Sequence, residues 1–250
     1  MTDTTYFDIR TGRHEVFDPA RMLIVFLHLE KTAGTTVSAA LRSNLGNTAY
    51  AWRGHGQMLE TVASGEIASL RMLSGHFPYG VHRLIDRSCL YATMFRDPVD
   101  RLESWFYFIQ RRRKAQTNNA LKVVDINEWL ALLRKRRDGI AVNFQAERVL
   151  GYRVPNTESG LEAARTHLMR KFAYVCPHSE AFRFLQWAAK PLGITITEEP
   201  RAGKPGVNKP KKSEIDPELR AWLETENRVD TGLHRWSIEN FARITDAEIG

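Results

Sequence analysis

The stretch from Met22 to Leu41, Met-Leu-Ile-Val-Phe-Leu-His-Leu-Glu-Lys-Thr-Ala-Gly-Thr-Thr-Val-Ser-Ala-Ala-Leu, constrains the architecture more than any other part of the chain. Its first seven residues, Met22 to His28, are apolar almost throughout and rich in β-favouring types. Such a run reads as a strand buried on both faces, as in a parallel sheet. A turn follows from Leu29 to Gly34. Thr35 to Leu45 then carries Val37, Ala40, Leu41 and Leu45 at helical spacing, with Gly46 as the stop. Strand, tight polar turn and helix aim unpaired backbone N–H groups and the positive end of a helix dipole at one point. Lys31 adds charge there, Thr32, Thr35 and Thr36 add hydroxyls, Ala33 keeps the turn small, and Gly34 permits close backbone approach. A phosphate, or a group shaped like one, is the natural occupant. An ordinary βα turn with Lys31 solvated and the threonines capping the helix accounts for the same residues. A Walker A loop does not, because Glu30 precedes the lysine and the glycine follows it.

The rest of the chain suits an α/β fold, a parallel sheet flanked by helices. Its 250 residues fit one large domain. Residues 1–20 are polar and read as a surface arm, and 21–250 as a single domain. A formal charge of +7 favours polyanionic partners such as a nucleotide, an acidic glycan or a nucleic acid, without choosing among them. Cys89 and Cys176 lie in apolar strand-like runs and suggest core residues rather than a disulfide framework. No signal peptide is visible, and the apolar runs fall short of the ~20 residues of a membrane span. A soluble cytoplasmic protein is the expectation.

Thr48 to Trp52 reads as a short strand, Arg53 to Gly56 as a loop, and Met58 to Leu73 as a helix broken near Gly65. Ser74-Gly-His-Phe-Pro-Tyr-Gly80 reads as a loop. Cys89 to Phe95 is the second buried strand, and it runs directly into Arg96-Asp-Pro-Val-Asp-Arg-Leu-Glu-Ser104. Asp97 as N-cap, Pro98 at the first helical position and Asp100 in the first turn write a clear helix start. Arg96 therefore stands at the carboxyl end of a strand, where open α/β sheets bind ligands and where a guanidinium can grip an anion. Ser104 lies about two turns into that helix.

The clusters Arg111–Lys114 and Arg134–Arg137 are explained by helix C-terminal charge preference, with acceptor binding as the sharper reading. Asp125 starts a further helix, Ile140 to Leu150 makes another, and Phe172 to Cys176 a third strand. Ile194 to Thr197 is a candidate edge strand. Residues 199–213 are rich in proline, glycine and lysine, either a linker or a basic loop over an anionic ligand. Histidine and cysteine spacings match no metal site or nucleophile elbow, and no RNA-binding signature appears.

With both anion-binding turns in view, the chain resembles the sulfotransferase superfamily, and within it the carbohydrate branch of the heparan-sulfate 2-O type. His28-Leu-Glu-Lys-Thr-Ala-Gly-Thr-Thr36 is similar to that family's 5′-phosphosulfate loop, with Glu30 in place of the usual proline. Phe95-Arg-Asp-Pro-Val-Asp-Arg-Leu-Glu-Ser104 is similar to its 3′-phosphate motif, whose arginine and serine roles fall to Arg96 and Ser104. Ser74 to Tyr79 matches the position of the branch's catalytic histidine, here His76. Asn143 to Gly151 and Val175 to Glu180 match weaker family blocks. Asn208 and Lys209 fall where the family has a basic loop over the nucleotide.

The resemblance implies a P-loop-NTPase-like sulfotransferase fold, 3′-phosphoadenosine-5′-phosphosulfate as donor, no metal, and a hydroxyl acceptor that is a carbohydrate, with an acidic glycan suiting the basic clusters. It also implies a bacterial-like soluble member. Lys31 would neutralise the leaving oxygen and His76 would be the general base, with His55 and His82 as fallbacks. Two other classes stay open from the residues: a non-catalytic nucleotide or polyanion binder, and a P-loop-like kinase.

Overall fold

The computed structural model describes residues 5–46, 50–116, 125–199 and 214–249. In chain order these form β1 (Thr5–Asp8), β2 (Arg13–Val16), β3 (Met22–Leu27), α1 (Gly34–Leu45), β4 (Tyr50–Gly54), α2 (His55–Ala63), β5 (Met72–His76), β6 (Ser88–Phe95) and α3 (Pro98–Gln116). There follow α4 (Ile126–Arg136), α5 (Phe144–Leu150), α6 (Glu158–Lys171), β7 (Phe172–Pro177), α7 (Ala181–Leu192), α8 (Pro217–Glu226) and α9 (Arg228–Ile249).

Five strands make a parallel sheet in the order β4-β5-β3-β6-β7, with helices on both faces. The β3 run is apolar on both sides because both sides are covered. Leu23, Val25 and Leu27 join the layer that includes Leu161, Leu168 and Val229 from α6 and α9. Ile24 and Phe26 join the opposite layer with Val37 and Leu41 of α1 and Phe184 and Trp187 of α7. A third cluster holds α3, α4 and α8 together through Leu102, Phe106, Leu130 and Leu223. Parallel register aligns the carboxyl ends: Leu27 pairs with Gly75 and Thr93, Gly54 with His76, and Phe95 with Pro177. One rim of the sheet thus collects the residues after β3, β5, β6 and β7.

Three local expectations are revised. Residues 5–16 are no polar arm. They form an antiparallel hairpin whose Tyr6 and Phe7 are buried, with Trp187 Nε1 donating to the Phe7 carbonyl at 2.8 Å and Ile9 N donating to the Ala173 carbonyl at 3.0 Å. The buried apolar residues of the hairpin strands are large aromatics, and the buried carboxylate of the hairpin, Asp8, is neutralised by Arg10. The second revision is β5. His76 ends a strand beside β3 rather than sitting in a loop, because Gly75 lets the β4 backbone approach to where a Cβ would meet the Arg53 carbonyl oxygen at 1.8 Å. Ile194 to Thr197 forms no strand. Asp97, Asp125 and Asp216 cap α3, α4 and α8 as their sequences imply.

Candidate active site

The turn after β3 is closed from within. Thr32 is fully buried, and its hydroxyl and its backbone N–H both donate to the Leu29 carbonyl, at 2.7 and 3.3 Å. Closing so tightly forces Lys31 and Ala33 into left-handed backbone, with φ of 73° and 65°. Such conformations cost a non-glycine residue about 1 kcal/mol or more each, and they gather where a ligand is gripped. Gly34 then begins α1 directly against the His28 ring; a Cβ there would lie 1.9 Å from Nε2. Ala33, Gly34 and Thr36 face a cavity of about 630 Å³ that also holds Lys31, His76, Arg96 and Ser104. Of Thr35 the structure describes the backbone alone, and Asn208 and Lys209 lie outside the described residues.

Lys31 and Arg96 face the same cavity. The Arg96 Nη1 donates to the Lys31 carbonyl at 3.1 Å, tying the end of β6 to the turn after β3. Its Nε is buried with no hydrogen-bond partner among the described residues, a donor left for an anion. Burial pushes the Arg96 guanidinium down from its ordinary value, against the opposing pull of Asp100, Glu103 and Asp97. Burial also lowers Lys31, helped by Arg111 and Arg96, while its Nζ lies 4.3 Å above the Phe108 ring. Crowded cations of this kind gain from an anion that neutralises them.

His76 has a defined tautomer. Its Nδ1 lies 2.8 Å from the His28 carbonyl oxygen, an acceptor, so Nδ1 carries the proton and Nε2 the lone pair. The ring packs tilted against His28 at 4.5 Å and meets Trp52 edge-on at 5.2 Å. His28 itself is buried, and that burial, with His76 and Lys31 nearby, lowers its pKa to about 3. It therefore packs as a neutral ring. His82 is instead bound to the Tyr91 hydroxyl at 3.0 Å by Nδ1, and the His55 side chain is outside the described set.

Several partners were not singled out from the sequence. Glu30, nine-tenths buried, places Oε2 at 3.9 Å from His76 Nδ1 and Oε1 at 3.5 Å from Arg148 Nη2. Gln145 brackets the Arg96 backbone, accepting from its N–H at 3.0 Å and donating to its carbonyl at 2.7 Å. Gln145 is held in turn by Asp230, which accepts from the Gln145 and Ala146 N–H groups at 3.0 and 2.8 Å. Burial raises the Asp230 carboxyl, and these bonds oppose the rise. The only sequence signal for Gln145 and Arg148 was the block from Asn143 to Gly151. Nothing in composition marks Trp52 or Trp105, and Arg111 is marked only as part of the basic cluster Arg111–Lys114.

The arrangement offers two crowded cations and a helix N-terminus to a polyanion, and beside them an imidazole nitrogen able to take a proton. No group of three His, Cys, Asp or Glu positioned to hold a metal occurs among the described residues, and no described helix is long and apolar enough to cross a membrane. Among curated proteins nothing matches. A model of the sulfotransferase family matches residues 14–183, a span that includes the turn after β3, His76, Arg96 and Ser104.

Proposed function

The chain belongs to the sulfotransferase family, and from that premise we propose that it moves a sulfuryl group from 3′-phosphoadenosine-5′-phosphosulfate to a carbohydrate hydroxyl. The proposal follows the heparan-sulfate 2-O branch that its motifs resemble, as a bacterial-like cytoplasmic member. The observation that carries it is the shared cavity: Lys31 and Arg96, from turns after two different strands, face one space of about 630 Å³. A nucleotide with phosphates at both ends of its ribose needs two such cradles within its own length. The orphaned Arg96 Nε and the glycine fit of Gly34 against His28 suit that donor.

The donor supplies the sulfuryl group: the acceptor oxygen forms a new bond to sulfur as the bond from sulfur to the 5′-phosphate oxygen breaks, leaving a sulfate ester and adenosine 3′,5′-bisphosphate. Lys31 and the amides of the first turn of α1 neutralise charge gathering on the departing oxygen. Arg96 and Ser104 hold the 3′-phosphate. His76 Nε2 takes the acceptor proton, and the His28 carbonyl, accepting from Nδ1–H, turns that nitrogen toward the cavity. Catalysis of this kind is mostly positioning and charge stabilisation.

Isothermal titration with adenosine 3′,5′-bisphosphate and with ATP tests the reading. The bisphosphate should bind more tightly, without magnesium, and Arg96→Ala should weaken it. Lys31→Ala and His76→Ala should each lower turnover by at least ~100-fold, the scale of a lost charge stabiliser or general base. Preferential, magnesium-dependent binding of ATP would replace this reading with a kinase.

A further inference from the structure

A second cavity of about 510 Å³ adjoins the first, and Glu30 and Trp105 line both. Glu30 is the partition. It reaches His76 on one side and Arg148 on the other, and its Oε2 is buried without a hydrogen-bond partner among the described residues. A buried carboxylate oxygen left so is costly unless a donor reaches it.

The second cavity differs in chemistry from the protein around it. The whole chain carries +7. Here three carboxylates, Glu30, Asp138 and Glu147, face two guanidiniums, Arg148 and Arg153. Both guanidiniums are already engaged: Arg148 with Glu30 and over the Phe144 ring at 5.0 Å, Arg153 with Glu147 at 2.9 Å. Among the described residues that line this cavity no unpaired cation remains for an anionic ligand, and the carboxylates would repel one. Aromatic surface is present at Trp105, Phe144 and the largely exposed Tyr152. Apolar ring faces with a few fixed acceptors and donors suit a polyhydroxylated ring, whose C–H face packs on aromatics while its hydroxyls bond to the polar groups.

We propose that this second cavity is the acceptor subsite and that the sugar unit presented to His76 carries no negative charge. The inference rests on the sulfuryl-transfer reading and departs from the acidic acceptor that the heparan-sulfate branch would imply: an acidic glycan, which the overall charge favours, is excluded from the unit that reacts. The Glu30 carboxylate accepts a hydrogen bond from an acceptor hydroxyl at the partition, holding the neighbouring oxygen toward the donor cavity.

Titration calorimetry of the full chain saturated with adenosine 3′,5′-bisphosphate tests this, using cellopentaose and chitopentaose as uncharged chains and a hyaluronan hexasaccharide as a uronate-bearing one. At least one uncharged chain should bind more tightly than the uronate chain. Tyr152→Ala should weaken that binding by about 5-fold, the scale of one lost aromatic contact, and leave the nucleotide affinity unchanged. Asp138→Asn with Glu147→Gln should narrow the preference against the uronate chain. Tighter binding of the uronate chain, no binding of either uncharged chain, or an indifferent Tyr152→Ala overturns the subsite. Failure of the bisphosphate itself to bind refutes the sulfuryl-transfer reading instead.

Discussion

His28 shows how one side chain can link the stability of this protein to its site. The ring is stacked on Phe26 at 5.6 Å and tilted against His76 at 4.5 Å, it abuts Gly34, and burial lowers its pKa to about 3 from an ordinary 6.5. An unfolded chain therefore takes up a proton between those two values that the folded chain refuses. Stability is full above about pH 6.5 and is lost as pH falls toward 3. At pH 5 the loss from His28 is about 2 kcal/mol. His178, lowered to about 4 chiefly by burial and then by Arg96, acts in the same direction. Thermal unfolding should show a lower midpoint at pH 5 than at pH 7.5, and His28→Gln should shrink that difference even if it lowers both midpoints. An undiminished difference would acquit His28. Lys31 and Arg96 could be read from the chain because each is fixed by its neighbours in sequence. Glu30 could not, since its meaning comes from Arg148 and His76, brought to it by α5 and β5.

The turn joining β3 to α1 works only if the helix can begin hard against the strand it left. Gly34→Ala puts a methyl group into the His28 ring, and a misfit of that kind in a packed site costs about 1–3 kcal/mol. The helix start must then shift, so bisphosphate affinity should fall by about 10-fold and the unfolding midpoint should drop as well. Gly56→Ala, in α2 with nothing within 4 Å of the added carbon, is the control and should leave both nearly unchanged. Equal affinity for Gly34→Ala and the control would mean that the close approach does not shape the cradle. At this scale the sequence was a good guide where local chemistry decides: capping aspartates before α3, α4 and α8, and the glycine break after α2 at Gly65. It failed at β5, a short strand with a glycine at its fourth position that is held by neighbours on both sides rather than by its own pattern. It failed likewise at the hairpin of β1 and β2, whose partner Trp187 is 180 residues from Phe7.

Across the whole molecule, the most consequential connection runs from α9 through α5 to the end of β6. Asp230 holds the start of α5, and Gln145 of α5 holds both backbone groups of Arg96. Asn143 and Asn227 close the same network, with Asn143 N donating to Asn227 Oδ1 at 2.9 Å and Asp230 N to Asn143 Oδ1 at 3.1 Å. Asp230→Ala strands the buried donors of Gln145 and Ala146, a loss of about 3 kcal/mol, and should also weaken bisphosphate binding although Asp230 does not line the cavity shared by Lys31 and Arg96. Calorimetry below the unfolding midpoint separates the two effects. A variant within 1 kcal/mol of the parent would show the network to be ornamental. No reading of single segments finds this link, because Asp230 follows Gln145 by 85 residues. It also sets an order of events on the ribosome. The Lys31 turn is written in one short stretch, whereas the Arg96 grip waits for a residue translated long afterwards. A half-made chain lacks the Arg96 grip, so bisphosphate added during synthesis should find a partner only once α9 has left the exit tunnel.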